Sequence, residues 1–68
     1  MSSFAKTVEI TSESDNDFHD AIHQGIKRAA NTLRDVRSIW VKDQVVILED
    51  GKVQAYRTKL KVTFGLEE

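Results

Sequence analysis

The final third of the chain alternates. Every second residue from Tyr56 reads Tyr56, Thr58, Leu60, Val62, Phe64, Leu66, and the residues between them are Arg57, Lys59, Lys61, Thr63 and Gly65. Period two predicts a strand with one apolar face and one cationic face. Residues 4–11 repeat the pattern more weakly, with Phe4, Val8 and Ile10 on one side and Lys6 as the imperfect member. Residues 38–48 form a longer β-branched run. Its odd positions supply Ile39, Val41, Val45 and Ile47, interrupted by Asp43; its even positions supply Ser38, Trp40, Lys42, Gln44, Val46 and Leu48. Apolar groups on both faces toward its end predict cover on two sides. Asp50 and Gly51 then carry the two-residue signature of a tight hairpin leading into the last strand.

Between the first strand and the hairpin the period changes. Phe18, Ala21, Ile22, Gly25, Ile26, Ala29 and Leu33 fall at i, i+3, i+4, i+7, i+8, i+11 and i+15, a single stripe along a helix. The polar break before it makes Ser14 or Asp15 the expected N-cap, with Asp15 and Asp17 complementing the positive end of the helix dipole. Lys27, Arg28 and Arg34 lie toward the other end, where cations suit the dipole. Gly25 and Ala29 permit a close approach to a sheet. The order is β-α-β-β, an α+β class in which the helix covers one sheet face. The opposite face is then expected to carry Trp40, Val46, Leu48 and the Arg57/Lys59/Lys61 stripe. Such a face is used for self-association or for a ligand.

Composition narrows the field. Sixty-eight residues make a single domain, 1–68, near the lower limit for an independent core. Ten Lys and Arg against eleven Asp and Glu leave a net charge of −1, so no bulk attraction to nucleic acid or anionic lipid is expected. No Cys rules out disulfides and thiolate metal sites. The start, MSSFAKTVEI, does not read as a signal peptide, and no apolar run approaches membrane-spanning length. A cytoplasmic protein is expected, and self-association is the natural way for so small a chain to gain stability.

The helix stretch FHDAIHQGIKRAANTL from Phe18 to Leu33, the segment VKDQ from Val41 to Gln44, and YRTKLKVTF from Tyr56 to Phe64 together resemble the dodecin family over nearly the whole chain. The resemblance implies a three-stranded antiparallel sheet curved around one helix, assembled as a hollow homododecamer. It also implies non-enzymatic binding or storage of flavin (FMN or riboflavin) in pairs at twofold interfaces. In such proteins a tryptophan on the second strand stacks on the flavin ring and a glutamine on the third contacts its edge. Those positions are Ser38 and Arg57 here, and Trp40 lies two residues beyond Ser38. The Tyr56-Arg57 pair and the missing tryptophan are closer to the calcium dodecin subgroup. A calcium-binding or purely structural dodecamer is therefore the alternative.

The candidate ligand-binding residues are Ser38, Trp40, Asp43, Gln44 and Arg57. Trp40 with Arg57 suits a planar, anionic ligand, and it equally suits an interface between copies. The cationic stripe is expected to meet another subunit, balanced by Glu9, Asp43 and Glu49. His19 and His23, one turn apart, read as a solvated face because no third ligand stands at a convincing spacing. Asp15-Asn16-Asp17 reads as helix-start chemistry, since the later Gly and Glu of a calcium loop are missing. Calcium held between subunits by Glu13, Asp15 or Asp43 stays open, with no metal ligands assigned. No nucleophile, base and orienting group fall into a catalytic pattern.

Overall fold

The structure is a computed structural model and describes residues 4–66. Strand β1 (Ala5–Ser14) leads into helix α1 (Phe18–Thr32), followed by β2 (Val36–Glu49) and β3 (Lys52–Gly65). The sheet order is β1-β3-β2 and both pairings are antiparallel, the α+β arrangement that the alternation predicts. β3 is central because its Leu60, Val62 and Thr58 form the most buried row of the molecule. α1 lays Ala21, Gly25 and Ala29 on that row. A Cβ on Gly25 would run into Leu60 Cδ1, so the absent side chain sets how closely helix and sheet approach. At the start of the helix Phe18 meets Tyr56 edge-on, with ring centroids 5.2 Å apart.

The N-cap is Asp17 and not Ser14 or Asp15. Asp17 has extended backbone and accepts from the Asp20 amide at 2.7 Å. Ser14 is the last residue of β1, where its hydroxyl donates to the Asp20 carboxylate at 2.5 Å and accepts from the Asn16 amide. The cap therefore falls three residues before the amide it receives, as the geometry of a first turn demands. The cations also differ from expectation. The last turn of α1 holds no basic residue, so Lys27 and Arg28 sit ahead of the carbonyl end and are not spent on the dipole.

The faces of β2 exchange partway along. Val41 stands opposite Leu60, but Asp43 stands opposite Lys59, leaving Lys42 as an inserted residue between them. Asp43, which breaks the apolar odd series in sequence, thereby turns to the face away from the helix. Val46 is the converse correction: it pairs with Tyr56 on the helix side, whereas Trp40 pairs with Lys61 on the outer side. One strand face does not carry Trp40 and Val46 together, because a one-residue bulge reverses every side chain beyond it.

β1 pairs only as far as Ser14 with Tyr56, and the β2–β3 ribbon continues alone to its turn. Asp50 (φ 52°) and Gly51 (φ 74°) both have positive φ, as a type I′ hairpin requires. This two-stranded arm gives the chain its length, with overall extents of 54 × 18 × 13 Å.

Candidate functional site: the outer face of the sheet

Strand register arranges the face away from the helix in four rungs across three strands. Ser38, Thr63 and Thr7 form the first; Trp40, Lys61 and Glu9 the second; Asp43, Lys59 and Thr11 the third; Val45, Arg57 and Glu13 the fourth. The cationic stripe of β3 thus runs down the middle, flanked by carboxylates from both edges. Glu9 and Asp43 take the balancing positions expected of them. Glu49 does not, since it lies at the hairpin opposite Lys52, and Glu13 serves instead. Glu13 accepts from Arg57 Nε at 2.5 Å.

Trp40 is 61% exposed, the barest of the large apolar side chains among the described residues. The Lys42 and Lys61 Nζ atoms lie 5.5 and 5.7 Å from its ring centroid, within cation–π range. Lys42 also reaches Glu9 at 3.6 Å. Lys42 alternates with Trp40 onto the outer face, and the bulge beside it turns Asp43 and Val45 out as well. One rung along, Thr11, Asp43, Val45, Arg57 and Lys59 line a shallow groove of about 310 Å³. The outer face therefore offers a flat indole with two ammonium groups beside a small groove with a paired guanidinium. It suits a planar group carrying negative charge.

Of the five residues singled out in the sequence, four share this face: Ser38, Trp40, Asp43 and Arg57. Gln44 does not join them; it pairs with fully buried Thr58 on the helix side. Ser38 and Arg57 are also apart. Ser38 is opposite Thr63, six residues along β3 from Arg57, or about 20 Å at strand rise. One chain therefore cannot close a single flavin-sized pocket around both positions. Lys42 keeps the place beside Trp40 that alternation gives it, whereas Val45 and Glu13 belong to the face but escape a reading of the sequence. The interruption at Asp43 is the one signal that marks the bulge and so the residues it brings out.

Other candidates separate in space. His19 and His23 are exposed, with ring centroids 4.3 Å apart. Among the described residues no three His, Asp or Glu side chains gather into a cation-holding group, so Glu13, Asp15 and Asp43 do not converge within one chain. No helix of the described residues is long and apolar enough to cross a membrane. Among the described residues Asp20 is the one acid whose pKa is displaced. The Ser14 hydroxyl above all, then the Gln24 amide, hold it below the ordinary aspartate value by donating to the carboxylate.

The family model for dodecin matches residues 4–67. No curated protein matches the chain. Among solved structures, an arginine-to-alanine variant of the Thermus thermophilus dodecin is 31% identical, with 98% of this chain and 100% of that one covered and a TM-score of 0.90. The dodecin of Streptomyces davaonensis is 28% identical over the full length of both chains, with a TM-score of 0.91. The calcium dodecin of Mycobacterium tuberculosis, described as calcium chelating with a novel calcium-binding site, is 28% identical over 94% of this chain and 91% of its own, with a TM-score of 0.83. Matched in strand order, helix and length alike, the chain belongs to the dodecin family.

Proposed function

We propose that the chain is a non-enzymatic, cytoplasmic homododecamer that holds a small planar ligand between copies on the outer sheet face, with flavin as the ligand class. The observation that carries this reading is the exposed Trp40 indole, set between Lys42 and Lys61 on the sheet face that no helix covers. A flavin ring stacks on an indole, and an FMN phosphate suits the neighbouring ammonium groups. Trp40 takes the stacking role from Ser38, on the same face and one rung away. The separation of Ser38 from Arg57 supports a pocket whose two ends come from different copies, in keeping with a site shared across a twofold axis.

Titration of FMN and riboflavin into the assembled protein tests this. Flavin fluorescence is expected to quench, with Trp40→Ala weakening affinity by about tenfold or more through the lost stack. The double substitution Ser38→Trp with Arg57→Gln is expected to tighten flavin binding over the parent. An intact assembly that leaves flavin fluorescence unchanged at micromolar protein overturns the flavin reading.

A second reading has its own support. Glu13 engages Arg57, so the guanidinium at the ring-edge position is already occupied within the chain. Together with the similarity to the calcium dodecin, this favours a cation-binding or structural shell. Carboxylates such as Asp15 and Asp43 would then meet only between copies. Calcium is expected to raise the melting temperature by linkage and EDTA to lower it. A melting curve indifferent to both rules this reading out.

A further inference from the structure

The chain carries two surfaces of opposite charge that it cannot bring together by itself. One is a groove of about 830 Å³ between β1 and the flank of α1, lined by Ile10, Ser12, Gln24, Gly25, Lys27 and Arg28, among others. β1 is an edge strand, so the wall of this groove offers unpaired backbone as well. Glu13 also borders it, but its carboxylate is engaged by Arg57. The second surface is the tip of the β2–β3 arm, where Glu49 and Asp50 stand together and Lys52 lies opposite Glu49. Among the described residues, none of Lys27, Arg28, Glu49 and Asp50 takes part in an ion pair.

Geometry forbids an internal match. The β1 wall of the groove is Ile10–Glu13, and β1 ends against Tyr56. From Tyr56 the arm runs on to Gly51, about 16 Å farther in the direction away from the groove. The arm also needs cover. Leu48 and Val53 face each other across it at 59% and 52% exposure, and an unsupported two-stranded ribbon is marginal in water.

We infer that the acidic arm tip of one copy seats in the cationic groove between β1 and α1 of another copy. The inference rests on the assembly proposed above and names one of its contacts. Tip and groove are different surfaces, so the contact is heterologous and propagates from copy to copy until it closes a ring. Such a ring contact combined with twofold ones is enough to close a shell. Lys27 and Arg28 gain the counter-ions they lack within the chain, and the aliphatic part of the arm is taken out of water.

Charge exchange within one chain tests this. The tip variant carries Glu49→Lys and Asp50→Asn; asparagine is chosen because position 50 has φ 52°, which asparagine tolerates. The groove variant carries Lys27→Glu and Arg28→Glu. A third chain carries all four substitutions, so tip and groove are again opposite in sign in a ring of any size. Mass is read by size-exclusion chromatography with light scattering, and folding by far-ultraviolet circular dichroism. Each half variant is expected to lose the assembled mass, and the fourfold variant to regain both that mass and the parent's circular dichroism. Half variants that keep the parent's mass, or a folded fourfold variant that stays small, overturn the inference while leaving the assembly intact. A parent chain that is itself a single copy overturns the assembly reading and this one with it.

Discussion

Single side chains connect the helix start to the end of β1. Ser14 is buried and bridges the Asp20 carboxylate and the Asn16 amide, while Gln24 donates to the same carboxylate from one turn on. These donors favour the charged form of Asp20, which is why its pKa lies low. A depressed carboxylate contributes stability that is complete above the unfolded value, near 4, and is lost as pH falls through the folded value. Lowering the pH from 7 to 3 is therefore expected to reduce the urea midpoint less in Asp20→Asn than in the parent. Equal losses in the two proteins would show that Asp20 contributes nothing to acid sensitivity. Asp17, the acid that does cap the helix, was concealed by its neighbours. Ser14, Asp15 and Asp17 are all good caps by type, and only the length of β1 decides between them.

At the scale of elements, the helix and the closing strand follow from their periods, 3.6 and 2, because the stripe each presents must be buried. Gly25 shows how tightly they meet. Gly25→Ala gains roughly 1 kcal/mol of helix propensity. Overpacking against fully buried Leu60 costs about 1–3 kcal/mol, so a net loss is expected in denaturant unfolding. A stabilised variant would mean that Leu60 has room to move. The second strand was only half legible. Its bulge at Lys42 leaves a trace in the sequence, the charged Asp43 within an apolar series, but a lone acid in a strand does not say whether the chain tolerates it or turns it out. The partner strand decides, by placing Lys59 opposite Asp43.

The whole molecule is short of core. Among the described residues the buried apolar side chains are Ala21, Ala29, Leu60 and Val62, and only two of these are large. Trp40, Leu48 and Val53 are more than half exposed on one chain. A domain of this size with so little buried surface gains its stability from other copies. Its melting temperature is accordingly expected to rise with protein concentration, and dilution is expected to unfold it as it dissociates. A concentration-independent transition of a single copy would contradict this. Sequence alone determined the element order, the helix stripe, the Asp-Gly turn and the two-faced closing strand, because each is written in local spacing. Which residues share the outer face was settled only by the tertiary structure. Face membership beyond a bulge depends on strand register, and register is a property of two strands at once. Gln44 went to the helix side and Asp43 and Val45 came out for that reason, and Ser38 and Arg57 proved too far apart to meet within one chain.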